Sequence, residues 1–182
     1  MMPGKTLSGG EAVDLVCVAL LQDAQSDEPQ QEMFPPCSEA ALDALDREVR
    51  QEFGVSLADG YKRLLRQTDG VRLQDIEIYG STRRRRAFVA PPPDSNDPAV
   101  FVSGLVAVNH TLRDGNPWLK PYLIYGETED DWLVFNPATQ RFEHRQKVGM
   151  DCFDTFGTFE QLLWWAIARR LPLPPIRFPD GK

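Results

Sequence analysis

Histidine and cysteine are scarce in this chain. Two histidines and three cysteines among 182 residues leave little material for metal coordination or nucleophilic catalysis. Cys17, Cys37 and Cys152 are widely spaced and odd in number. Without a CxxC pair, neither a zinc ribbon nor a thioredoxin-type motif can form, and the free thiols fit a reducing compartment. GxGxxG and Walker phosphate loops are absent, as is the GxSxG elbow of hydrolases. No apolar run approaches the roughly 18 residues of a membrane span. The apolar stretch at 15–21 follows Glu11 and Asp14, where a secretory signal would be positive. A cytoplasmic protein without membrane attachment is expected.

Positive charge is also in deficit. Twenty Lys+Arg stand against 27 Asp+Glu, a net charge of -7. This argues against a general affinity for nucleic acid or anionic lipid and leaves the surface free to meet a basic partner. Hydrophobic residues at 42% and charged residues at 26% are the profile of a globular chain. At this length roughly two thirds of the unfolded surface is buried, so no disulfide, metal or cofactor is needed for folding.

Periodicity supplies the organisation. Residues 1–10 are expected to be a flexible lead, 11–170 the folded domain and 171–182 a Pro-rich tail. Val13, Val16, Leu20 and their neighbours Cys17 and Leu21 mark a first helical face. Ser38 is placed to cap a second helix bearing Leu42, Leu45, Val49 and Phe53, with Gly54 at its end. Ser56 with Asp59 suggests a cap for a third, which carries Tyr61, Leu64 and Leu65. A strand is expected from Ile76 to Tyr79. Helical spacing returns at Phe101, Leu105, Val108 and Leu112. Short β runs follow at 122–125, 132–135 and 140–146, with a further one at Cys152 and Phe153. Thr158 and Gln161 form a capping box before Phe159, Leu162, Leu163, Ala166 and Ile167. Helices, then strands, then a closing helix predict a single α+β domain with an antiparallel meander packed against helices.

Chemistry is thin along this scaffold. His144 and Cys152 are the one conceivable nucleophile pair, although a free cysteine is most often a small buried hydrophobe. The acidic turn holding Glu127, Glu129, Asp130 and Asp131 lacks EF-hand spacing. Flanked by Tyr125 and Trp132, it reads either as a solvated hairpin tip or as a partner-facing patch with aromatic anchors. Arg83, Arg84, Arg85 and Arg86 could grip phosphate. They equally balance their surroundings, since residues 60–86 hold eight basic and three acidic residues while 11–59 hold twelve acidic and two basic. Of the adjacent Trp164 and Trp165, separated by about 100° on a helix, one is expected under the sheet and the other near the surface.

Leu57-Ala58-Asp59-Gly60-Tyr61, Leu64-Leu65 and Asp69-Gly70, then Ile78-Tyr79-Gly80-Ser81, together resemble the core pattern of the SUKH superfamily, whose members include immunity proteins of bacterial toxin systems and a fungal regulator of cell-wall synthesis. Val106-Ala107-Val108-Asn109 with Leu112-Arg113 is similar to the mid-domain helix of the YrhA-like branch. Gly126-Glu127 with Asp131-Trp132-Leu133-Val134-Phe135-Asn136 is similar to the central hairpin, and 158–163 to the closing helix. Ala58 and Asp69 stand where the family has Pro and Asn, and Asp serves a turn before Gly as well.

The resemblance implies binding without catalysis, with no cofactor or metal. On these grounds the expected function is neutralisation of a cognate toxin, a basic protein such as a nuclease. Glu127, Glu129, Asp130, Asp131 and Trp132 are the expected contact surface. The alternatives are an intracellular scaffold or regulatory protein without a toxin partner, and a nucleotide or RNA binder using the four arginines.

Overall fold

The computed structural model describes residues 5–26, 34–82, 84–85 and 101–179. Arg83, Arg86 and the proline-rich stretch 91–98 therefore lie outside the described residues.

Capping chemistry sets the helix starts. Helix α1 (Gly9–Ala24) opens on a reciprocal box: the Ser8 hydroxyl accepts the Glu11 N–H, and the Glu11 carboxylate accepts the Ser8 N–H. Helix α2 (Glu39–Phe53) begins with Ser38 accepting the Ala41 N–H and ends at Gly54, whose φ of 72° is the left-handed conformation that glycine adopts freely. Helix α3 (Asp59–Leu65) departs from expectation. Its cap is Ala58, with no side-chain hydrogen bond, and Ser56 takes no part. Tertiary contacts substitute: the Leu57 N–H donates to Asp46 Oδ1 at 2.7 Å and the Ala58 N–H to Tyr125 Oη at 3.2 Å. Helix α4 (Leu105–Gly115) starts later than the spacing suggested, and Phe101 lies in a strand instead. Helix α5 (Phe159–Ala168) is capped by Thr158, while Gln161 reaches back to the Gly157 N–H.

The strands form one main sheet. Its members are β2 (Val71–Leu73), β3 (Ile76–Ile78), β6 (Leu123–Glu127), β7 (Asp131–Asn136), β8 (Arg141–Gln146) and β9 (Cys152–Phe156). They lie in that order and are antiparallel throughout, as expected of an α+β domain built on a meander. Two small pairs accompany it. Strand β4 (Arg84–Arg85) pairs with β5 (Phe101–Val102), and β1 (Lys5–Thr6) runs parallel to β10 (Ile176–Arg177). This last pair corrects the expected lead and tail: Leu7 is buried, Leu173 packs on the core, and the Leu7 N–H donates to the Arg177 carbonyl.

Register sorts the side chains onto two faces. One cross-strand row runs Val71, Ile78, Gly126, Leu133, His144, Asp154 and lies on the face that receives α5. There Tyr61, Tyr125, Phe142 and Phe159 form a knot with ring centroids 4.9 to 6.0 Å apart, in tilted or edge-on pairs. The opposite face carries Arg72, Glu77, Glu127, Trp132, Arg145 and Cys152 in a second row. Glu77 and Glu127 stand directly across from each other, a repulsive pairing. Arg72 offsets the first at 2.6 Å and Lys147 the second at 2.6 Å.

Helix α4 repairs an interruption. Strand β6 has a register shift between Ile124 and Gly126, and β3 pairs with it only at Gly126 and Glu127. Asn109, fully buried, fills in: its amide donates to the Ile124 carbonyl at 2.7 Å and its oxygen accepts the Ile124 N–H at 2.9 Å. A backbone pair that would otherwise be orphaned is thus satisfied by one side chain.

Two outcomes follow. Asn109→Ala should destabilise the fold by about 2–4 kcal/mol, measured by urea unfolding, because two buried backbone groups lose their partners. The second concerns pH. Burial opposes ionisation of Asp46, but the Leu57 amide, Lys62 and Arg50 outweigh it and hold the carboxyl below its ordinary value. That stabilisation is complete above the carboxyl's unfolded value and is lost as pH falls through its folded value. Asp46→Asn should therefore flatten the acid limb of the stability curve below about pH 4 relative to the parent chain.

Candidate functional site

The hairpin joining β6 to β7 is the acidic turn, and its backbone is held from several directions. The Thr128 N–H donates to the Asp131 carbonyl at 2.9 Å, and the Asp131 N–H returns to Thr128 Oγ1 at 3.1 Å. From the neighbouring β8–β9 loop, the Lys147 N–H donates to the Asp130 carbonyl at 2.8 Å. Thr128 is buried, while Glu129 and Asp130 are exposed. The turn is thus a rigid mount for two solvated carboxylates.

The five expected contact residues do not share one environment. Glu129 and Asp130 face solvent. Glu127 is half-buried and committed to Lys147, whose ammonium also lies 4.4 Å from the centroid of the Trp132 ring. Trp132 is only 7% exposed and belongs to the charged row on the face opposite α5. This corrects its role as a contact anchor: alternation places it opposite Leu133, and Lys147 caps its ring. Asp131 turns the other way, toward His144.

His144 lies at the centre of a cluster that sequence reasoning did not assemble. It is 7% exposed, with Nε2 2.8 Å from Asp131 Oδ2 and Nδ1 3.3 Å from Asp154 Oδ2. Its ring packs against Trp165 in a tilted pair at 4.4 Å and approaches Phe153 at 5.3 Å. Arg169 lies over the Trp165 ring, 4.1 Å from its centroid. Trp165 is therefore the one of the two adjacent tryptophans that meets the sheet through His144 and Phe156. Between the acidic turn and the end of α5, the 128–131 turn, His144, Trp165 and Arg169 line a cleft of about 220 Å³, which Asp75 and Arg170 complete. Arg170 is engaged by Asp75 in a two-pronged pair at 2.7 and 2.6 Å.

A larger groove of about 660 Å³ lies where α1, α3 and α5 begin. Its charged groups are largely paired. The Arg63 guanidinium holds the Asp14 carboxyl below its usual range, Gln67 bonds the same carboxylate, and Arg66 clasps Glu39. The smaller cleft, with its uncommitted rim carboxylates, is the better candidate.

The structure does not assemble the His144–Cys152 pair. A bulge at Phe153 places Cys152 opposite Arg145 and Asp154 opposite His144, so thiol and imidazole belong to opposite faces. Partial burial, with Glu143 nearby, pushes the Cys152 thiol above its ordinary value, which disfavours the thiolate. Among the described residues, no group of three or more His, Cys, Asp and Glu side chains is arranged to hold a metal ion. None of their helices is long and apolar enough to cross a membrane.

In comparisons with known proteins, no family model matches the sequence and no curated protein matches it.

The Cys152 environment has a measurable consequence. At pH 7 iodoacetamide should alkylate this exposed thiol more slowly than a thiol in an unstructured peptide. Unfolding the chain in urea should remove the difference, and equal rates before and after unfolding would contradict the assigned environment.

Proposed function

We propose that this chain is a non-enzymatic protein-binding domain, an immunity protein that neutralises a basic toxin by covering its working surface. One observation carries the reading: Glu129 and Asp130 are held out into solvent on a turn whose backbone is already fixed. A pre-ordered acidic projection loses little conformational freedom on binding, and its field accelerates encounter with a basic surface. Beside it, Phe153 is 56% exposed on the outermost strand and next to the His144 ring, giving an apolar element within reach of the charges. The negative net charge of the chain supports the same choice of partner.

The test begins with a tagged pull-down from the native cell, eluted at high salt, with the recovered basic protein then assayed for toxicity with and without this chain. Glu129→Lys with Asp130→Lys should slow association with that protein by about tenfold at low ionic strength. The melting temperature should stay unchanged, because neither side chain is part of the core. An unchanged on-rate would remove this surface from the reading, and recovery of nucleic acid or of many housekeeping proteins would replace it.

A further inference from the structure

We infer that His144 is a proton-operated clasp on the acidic turn. With both ring nitrogens protonated it holds Asp131 and Asp154 together, and loss of the Nε2 proton frees Asp131 and loosens the 129–131 backbone. The inference deepens the reading of this turn as a binding surface and rests on that reading for its consequence in binding, while the clasp itself belongs to the free chain.

What the two ring nitrogens face decides their protonation. Nε2 lies 2.8 Å from Asp131 Oδ2 and Nδ1 lies 3.3 Å from Asp154 Oδ2. A carboxylate only accepts, so a bare nitrogen at either position would set a lone pair against an oxygen. Both nitrogens therefore carry a proton in this arrangement. One imidazolium then spans three adjacent strands, from Asp131 at the start of β7 through β8 to Asp154 in β9. Trp165 and Phe153 pack against the ring and little of it reaches solvent, so water does not readily replace these partners.

The two contacts differ in kind. Nδ1 makes an aligned hydrogen bond to Asp154, whereas Nε2 makes none and is held to Asp131 by charge. A ring left with one proton keeps the aligned bond, and its bare Nε2 then opposes the Asp131 carboxylate. Among the described residues that carboxylate otherwise meets only the Thr128 hydroxyl, at 3.5 Å. The same hydroxyl accepts the Asp131 N–H, so displacement of Asp131 reaches the turn directly. The Thr128–Asp131 and Lys147–Asp130 backbone bonds remain, and the turn loosens without unfolding. Other charges near the ring offer no substitute: Glu129 and Asp130 of the turn are anionic, Arg170 of α5 is engaged by Asp75, and Arg169 lies over Trp165. The clasped form binds one proton more than the loosened form, so acidification tightens the turn and rising pH loosens it.

The experiment needs no partner. The full chain, labelled with nitrogen-15, is titrated from about pH 5 to 9, an interval in which ordinary carboxylates and guanidinium groups keep their charge while imidazole exchanges its proton. NMR follows the His144 ring nitrogens and the 129–131 amides together. One shared midpoint is expected, with Nδ1 keeping its proton on the alkaline side and the exchange protection of the Asp131 amide falling about tenfold. Asp131→Asn should leave the ring transition and remove that of the turn. His144→Gln should hold the turn at its alkaline shifts, and His110→Gln, at the other histidine, should change neither transition. Turn amides that ignore the ring transition, a ring that keeps both protons throughout, a proton retained on Nε2, or a turn transition that survives Asp131→Asn would overturn the inference. The protein-binding reading is separately readable. A shared midpoint with no effect of Glu129→Lys and Asp130→Lys on partner association would leave the clasp and remove that reading, and the reverse pattern would remove the clasp alone.

Discussion

The arrangement of the domain depends on the aromatic knot of Tyr61, Tyr125, Phe142 and Phe159. These four rings come from α3, β6, β8 and α5, so a single packed cluster brings two helices down onto two non-adjacent strands. Its polar ends are satisfied locally: the Tyr61 hydroxyl donates to the Tyr79 carbonyl at 2.7 Å, and the Tyr125 hydroxyl accepts the Ala58 N–H. Rings of this size bury large areas while losing few rotamers, and an edge-on contact is sensitive to small displacements. With Phe159 held against Phe142, α5 lies along β8, and Trp165 falls over His144 further along the same pair of elements. The cleft is thus positioned by the knot without including any of its members.

The two faces of the sheet divide the work differently. Beneath α5 the sheet is apolar except toward one end of its later strands, where Asp131, His144 and Asp154 replace hydrocarbon. The opposite face is ionic across its width, with Arg72–Glu77, Glu127–Lys147 and Arg145–Glu143 as successive pairs. Glu143 also accepts from Asn136 and Thr139, so its buried carboxylate is surrounded by donors. Such a network contributes less through its pairwise energies than through what it forbids. A strand shifted by one residue would bring carboxylates onto the hydrocarbon face.

Much of this was legible in the sequence, for local reasons. Ser38 and Gly54 marked their helix because both act on the backbone next to them, and Thr158 did the same for α5. Phe142 and His144, two apart in the 140–146 run that the sequence marks as β, share one face because successive strand residues alternate. What escaped depended on distant partners. Val71–Leu73 was too short to stand out as a strand until Ile76–Ile78 was known to pair with it. The Ser8–Glu11 box was hidden behind two glycines in a stretch read as a flexible lead. From the sequence Trp132 reads as a partner-facing aromatic, because nothing in its neighbourhood announces that Lys147, fifteen positions on, covers it. The cleft draws on Asp75, the 128–131 turn, His144, Trp165, Arg169 and Arg170, a combination that no local spacing encodes.

The bulge at Phe153 also bears on how these molecules tolerate one another. Strand β9 closes the sheet on one side, and four of its five residues, Cys152 to Thr155, are exposed. A straight apolar edge of that length would be a template for copies of itself, leading toward open-ended stacking. Here the extra residue breaks the rhythm of the ladder midway, and Asp154 places a charge at its centre. Two such edges meeting head to tail would find mismatched backbone spacing and carboxylates in close company. The same irregularity that sets thiol and imidazole on opposite faces thus acts as a guard against runaway sheet growth in a crowded cell.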